Sequence, residues 1–108
     1  MAKTRARKNG KKKQSAKATK KMISRITVKY DVGFNNRLYI RGNGGGLNWD
    51  HGQVLRNVGP DEWVWETTVP IKDCEFKVLI NDSWYEAGEN HHLPGGAWVK
   101  YNPSFPNE

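Results

Sequence analysis

Cys74-Glu75-Phe76-Lys77-Val78-Leu79-Ile80 is the stretch that decides the fold. Cys74, Phe76, Val78 and Ile80 fall on one face and Glu75, Lys77 and Leu79 on the other, the period of two that an extended chain produces. This is a half-buried strand with Lys77 on its outer side. Asn81-Asp82, followed by Ser83, has turn chemistry, and Trp84-Tyr85 has the β-propensity of a brief return strand.

The same alternation recurs along the chain. Ile26, Val28, Tyr30 and Val32 share one face, with Thr27, Lys29 and Asp31 on the other. Arg37 to Arg41 repeats it with Leu38 and Ile40 inward. Gly42 to Gly46 then breaks the pattern with a flexible loop that delivers Leu47 and Trp49. Gly52 to Val58 reads as a weaker strand. Trp63, Trp65, Thr67 and Val69 line one face of a stronger one that stops at Pro70, which cannot donate to a ladder. A final strand is expected near Ala97 to Tyr101. About seven short strands separated by turn residues, with no helical period, predict an all-β, immunoglobulin-like antiparallel β-sandwich. The Cys and Trp spacing of an antibody domain is absent.

With 108 residues the chain has room for one modest core. Its formal charge of +7 divides unevenly. Residues 1–25 hold 11 of the 18 Lys and Arg and none of the 11 acids, so seven cations face eleven acids in residues 26–108, a net of −4. A segment so charged and so poor in large apolar side chains cannot offset the entropy of ordering. Residues 1–25 are therefore expected to be a disordered basic tail, and residues 26–108 the folded domain. The tail reads as a solvating extension, as a polyanion or nucleic-acid contact through phosphates, or as a targeting segment. No apolar run follows it as a secretory leader would require, and none is long enough to span a bilayer. Cys74 stands alone, so an internal disulfide is excluded and a cysteine-built zinc site is not expected. A reducing, cytoplasmic location and a monomeric state are the expectations.

The five tryptophans sort by position. Trp63 and Trp65 lie on an inward stripe and read as core. Trp49 follows the glycine loop and Trp84 follows a turn, so both are expected near strand ends, where binding loops collect. Trp98 fits core or surface equally. An indole offers a flat apolar face to the C–H face of a pyranose ring, while Lys77 and Asn90 can hydrogen-bond the hydroxyls around its edge. Trp49, Lys77, Trp84 and Asn90 together therefore suggest sugar binding. Other chemistries find little support. His91 and His92 are neighbours in an extended chain and point apart, so no metal site is expected. Gly42 to Gly46 lacks the phosphate-loop pattern. No pair of carboxylates is set for glycoside hydrolysis, and no Ser-His-Asp signature is present. Neither catalysis nor a cofactor is expected.

Leu38-Tyr39-Ile40-Arg41-Gly42, Leu47-Asn48-Trp49, Trp63 with Val69-Pro70, Phe76-Lys77, and Trp84 with Asn90 follow one another in a familiar order. From Ile26 to Tyr101 the chain resembles the starch- and glycogen-binding carbohydrate-binding modules of families 20 and 48. The resemblance implies that Trp49 and Trp84 stack on glucose rings of α-1,4-glucan while Lys77 and Asn90 bond its hydroxyls. It also points to a candidate second sugar site at Phe34, which occupies the place of an aromatic residue before the second strand but lacks a hydroxyl. Gly44-Gly45-Gly46 departs from the loop usual in those families. Two other readings stand beside this one: nucleic-acid binding through tail and aromatics, and a protein-interaction sandwich without a sugar site.

Overall fold

The computed structural model describes residues 22–106, and the basic segment at residues 1–21 lies outside the described residues. Nine strands and no helix are present among the described residues, so none offers a helix able to cross a membrane. They are β1 (Ser24–Lys29), β2 (Leu38–Asn43), β3 (Gln53–Val54), β4 (Arg56–Gly59), β5 (Glu62–Thr67), β6 (Asp73–Ile80), β7 (Trp84–Tyr85), β8 (His91–Pro94) and β9 (Trp98–Tyr101). One sheet runs β8-β6-β2-β3, with β7 also paired to β6; the other runs β9-β1-β5-β4. All pairs are antiparallel except β9 with β1, the strands nearest the two ends of the chain. The chain is an all-β sandwich.

Alternation builds the core. Ile26 and Val28 from β1, Leu38 and Ile40 from β2, Trp63 and Trp65 from β5, Cys74, Phe76 and Val78 from β6, and Leu93 from β8 turn inward and are buried. Full burial of a side chain such as Phe76 contributes about 1.5–3 kcal/mol. Desolvation pushes the Cys74 thiol above its ordinary pKa, which keeps it protonated and inert.

The strands depart from expectation in several places: β1 ends at Lys29, short of the expected Val32, and β2 continues through Gly42 to Asn43, where a loop was expected. β1 begins at Ser24, two residues before the expected domain boundary, because the Ser24 Oγ accepts from Gly96 N (2.8 Å) and Arg25 N donates to Ala97 O (3.0 Å). The expected strand from Gly52 to Val58 is two short strands in different sheets, joined at the buried Leu55. Val69 lies outside β5 and is exposed, its N–H donating to the Thr67 hydroxyl. β8, unforeseen, pairs with the first half of β6.

β7 and β8 both dock on the same edge of β6 and leave a gap at Val78, which the side chain of Glu86 fills. Its Oε2 accepts from Val78 N at 2.8 Å and from the Tyr101 hydroxyl at 2.8 Å, while His91 Nε2 donates to Oε1 at 2.9 Å. Glu86 N in turn donates to Val78 O at 3.0 Å. A carboxylate that is 2 % exposed is tolerable only with such partners. Burial, then the charge of Glu86, push the Tyr101 phenol far above its usual range, so it remains a donor.

Candidate functional site

The outer face of the β2–β6 sheet carries Lys77, with Asn90 bonded to Glu75 on the same side. Arg41 on β2 lies opposite Lys77 on β6, Tyr39 opposite Leu79, and Asn43 opposite Glu75. Across the other edge of β6, Tyr85 pairs with Leu79. Leu79, expected on the outside, is on that side but fully buried, with Tyr39 and Tyr85 flanking it on the neighbouring strands.

The loop carrying Trp49 is braced throughout. Gly44, Gly45 and Gly46 all have positive φ, and Leu47 N closes a turn onto Gly44 O at 3.0 Å, which tucks Leu47 into the core. Asn48 Oδ1 accepts from Asp50 N at 2.9 Å and His51 N at 2.8 Å, an Asx turn that fixes the backbone on either side of Trp49. Gln53 Nε2 donates to Gly46 O at 3.1 Å and its Oε1 accepts from Trp65 Nε1 at 3.0 Å, tying the loop to the core. Trp49 is half-buried.

Arg41 joins this loop to the turn before β7. Its Nε donates to Asp82 Oδ1 and its Nη2 to Asp82 O, both at 2.9 Å. Nη1 donates to the Trp49 carbonyl at 3.1 Å and to the Tyr85 hydroxyl at 3.3 Å. Asp82 Oδ2 accepts from Gly52 N at 3.1 Å. The bond from Arg41 holds the Asp82 carboxyl below the usual carboxylate range, with the Gly52 N–H adding to the effect. The same bond raises the guanidinium above its ordinary value. Asn81 and Asp82 adopt φ of 54° and 58°, the left-handed pair that a tight hairpin needs and that Asn and Asp tolerate.

Lys77 points outward as expected, and its Nζ donates to Glu86 O at 3.0 Å and to Gly88 O. One of its three donors is left over. Asn90 is exposed beside it, with Nδ2 donating to Glu75 Oε2 at 2.8 Å and its side-chain oxygen open to a further donor. Lys77 and Asn90 thus tie the loop at residues 86–90 to β6, the first from the strand to the loop and the second from the loop to Glu75.

Trp84 does not share this face. Register sets it against Ile80, so it lies on the inner side of β7, half-exposed at the sheet edge with its ring edge-on to Phe105 at 6.2 Å. The expected partner of Trp49 is thus on the opposite side of its strand. Tyr85, one residue on, takes the outer side, 39 % exposed, with the Arg41 guanidinium 5.8 Å from its ring centroid. The signal that decides it is the length of the connection: three residues, Asn81 to Ser83, separate Ile80 from its partner Trp84, which sets Tyr85, not Trp84, on the Lys77 side of β6.

Phe34 stands 92 % exposed in a turn where Gly33 and Asn35 both have positive φ. The adjoining residues Asn35, Asn36 and Arg37 line a pocket of about 490 Å³ together with Val54, Asn57 and Trp63. Trp63 Nε1 is buried without a hydrogen-bond partner among the described residues. Trp65 and Trp63 are core residues as expected, and Trp98 resolves to the surface, 64 % exposed, with Nε1 donating to Ile23 O at 3.0 Å and Arg25 4.9 Å from its ring centroid. His91 and His92 do point apart, to Glu86 and to Asp73.

No protein-family model and no curated protein matches the chain. Among solved structures it is similar to the glycoside hydrolase family 15 glucoamylase from Hypocrea jecorina, with a TM-score of 0.56 and 15 % identity over 90 % of this chain and 19 % of that one. The chain thus spans about a fifth of the length of that enzyme, and the likeness is one of fold.

Proposed function

We propose that the chain is a noncatalytic binding module for α-1,4-glucan, whose platform is the outer face of the β2–β6 sheet. The observation that carries this reading is the meeting of the Trp49 carbonyl and the Tyr85 hydroxyl on one nitrogen of Arg41, beside the outward Lys77 and Asn90. Two aromatic residues flanking cationic and amide donors fit a row of glucose rings, whose C–H faces stack while their hydroxyls exchange hydrogen bonds. Trp49, Tyr85, Lys77 and Asn90 are the proposed contacts, with Trp84 at the margin. Phe34 and the pocket next to it are the proposed second site. The likeness in fold to a glucoamylase supports the reading.

An open platform buries little surface, and ordering a flexible glucan costs entropy, so affinity in the micromolar to millimolar range, about 4–8 kcal/mol, is expected. Titration with maltoheptaose or β-cyclodextrin, followed by indole fluorescence, tests it. Saturable change is the expected result; no response up to tens of millimolar would refute the reading. The basic segment supplies a rival in polyanion binding, told apart by salt: affinity for phosphates falls steeply with ionic strength, and affinity for a neutral glucan does not.

A further inference from the structure

Arg41 is the only described residue bonded at once to β7, to the turn before it and to the Trp49 loop. We infer that it is a positioning residue that sets the gap between Trp49 and Tyr85, and that glucans long enough to reach both depend on it. The inference rests on the proposed glucan face.

Four acceptors converge on one planar fork: both an oxygen of the carboxylate and the carbonyl of Asp82, the Trp49 carbonyl and the Tyr85 hydroxyl. A guanidinium can serve them because its donors diverge in fixed directions; a lysine carries its donors on a single atom and cannot. The Arg41 side chain is only 18 % exposed, so water and salt screen the pair weakly. Asp82 grips the far side of the same loop through Gly52 N, and a Cβ on Gly52 would lie 2.3 Å from Asp82 Oδ1, so only glycine permits the approach. The Trp49 loop and β7, far apart in sequence, are thereby fixed to each other through side chains. Four of its five N–H donors are spent on these internal acceptors, so the inferred role of Arg41 is exerted through the two aromatic segments.

The test compares parent, Arg41→Lys and Asp82→Asn in the full chain, with hydrogen exchange at the Gly52 amide and affinity for maltose and for maltoheptaose. Arg56→Met, on the other sheet, is the control. Both clamp variants should speed Gly52 exchange relative to the β1 and β5 amides, and weaken maltoheptaose roughly five- to ten-fold, about the worth of one aromatic contact. Maltose, which reaches one ring, should bind as in the parent. Unchanged Gly52 exchange, or equal losses for the short and long sugars, would overturn the inference. So would parent-like maltoheptaose binding in both variants, which is distinct from a parent that binds neither sugar, the outcome that removes the glucan face itself.

Discussion

Replacing Glu86 by Ala removes the one side chain that bridges the break between β7 and β8. Three donors then lose their acceptor: the Val78 amide, the Tyr101 hydroxyl and His91 Nε2. A buried donor left unsatisfied costs about 1–3 kcal/mol, and breaking a buried charged cluster from one side costs about 3–5 kcal/mol in total. Small domains have only about 5–15 kcal/mol to lose. At about 4–8 °C for each kcal/mol in a domain of this size, Glu86→Ala should lower the melting temperature by at least about 12 °C. Glu86→Gln keeps a carbonyl for Val78 N and the Tyr101 hydroxyl and turns its NH₂ toward His91 Nε2, which accepts in its other tautomer, and should lose roughly half as much. Urea unfolding followed by tryptophan fluorescence reads both, and an unchanged m-value keeps the comparison within the two-state frame. A Glu86→Ala variant within about 1 kcal/mol of the parent would refute the reasoning, because it would mean that the carboxylate's burial costs as much as its bonds return.

Tyr85→Ala and Trp49→Ala should each weaken maltoheptaose binding by about ten-fold or more, whereas Trp84→Ala should mainly cost stability through its lost contact with Phe105; calorimetric titration beside thermal melts separates the two. The Asp82 carboxyl is held low by Arg41, so its contribution is complete above about 3.9, the unfolded value, and is lost as pH falls through the depressed native one. A pH series of urea midpoints should therefore show an acid-side decline that Asp82→Asn diminishes. Removing residues 1–21 should leave glucan affinity unchanged and its salt dependence flat. A cut after residue 25 instead strips Ser24 and Arg25 from β1, with the bonds to Gly96 and Ala97, and should lower the melting temperature.

Strand alternation was readable wherever one face is apolar and the other polar. It foretold β6 with Lys77 outward, the inward Trp63 and Trp65, and the separation of His91 from His92. It could not foretell the side of Trp84, because both residues of a two-residue strand are aromatic and only the register from the Asn81-Asp82 turn distinguishes them. The split at Leu55 escaped for a related reason. Every side chain from Gln53 to Val58 except Leu55 is exposed, so no apolar stripe marks where the chain leaves one sheet for the other. The role of Arg41 is not legible in the sequence because its partners, Asp82 and Tyr85, lie more than forty residues away and meet it only through the pairing of β2 with β6.

The parallel pairing of β1 with β9 brings the first and last strands side by side, both running the same way. Tension applied to the two ends of the domain would draw these strands past each other lengthwise, loading their bonds together in shear instead of unzipping them one by one. Under such a load the domain would yield only when the whole ladder, from the Arg25–Trp98 pair to the Val28–Tyr101 pair, gives way at once.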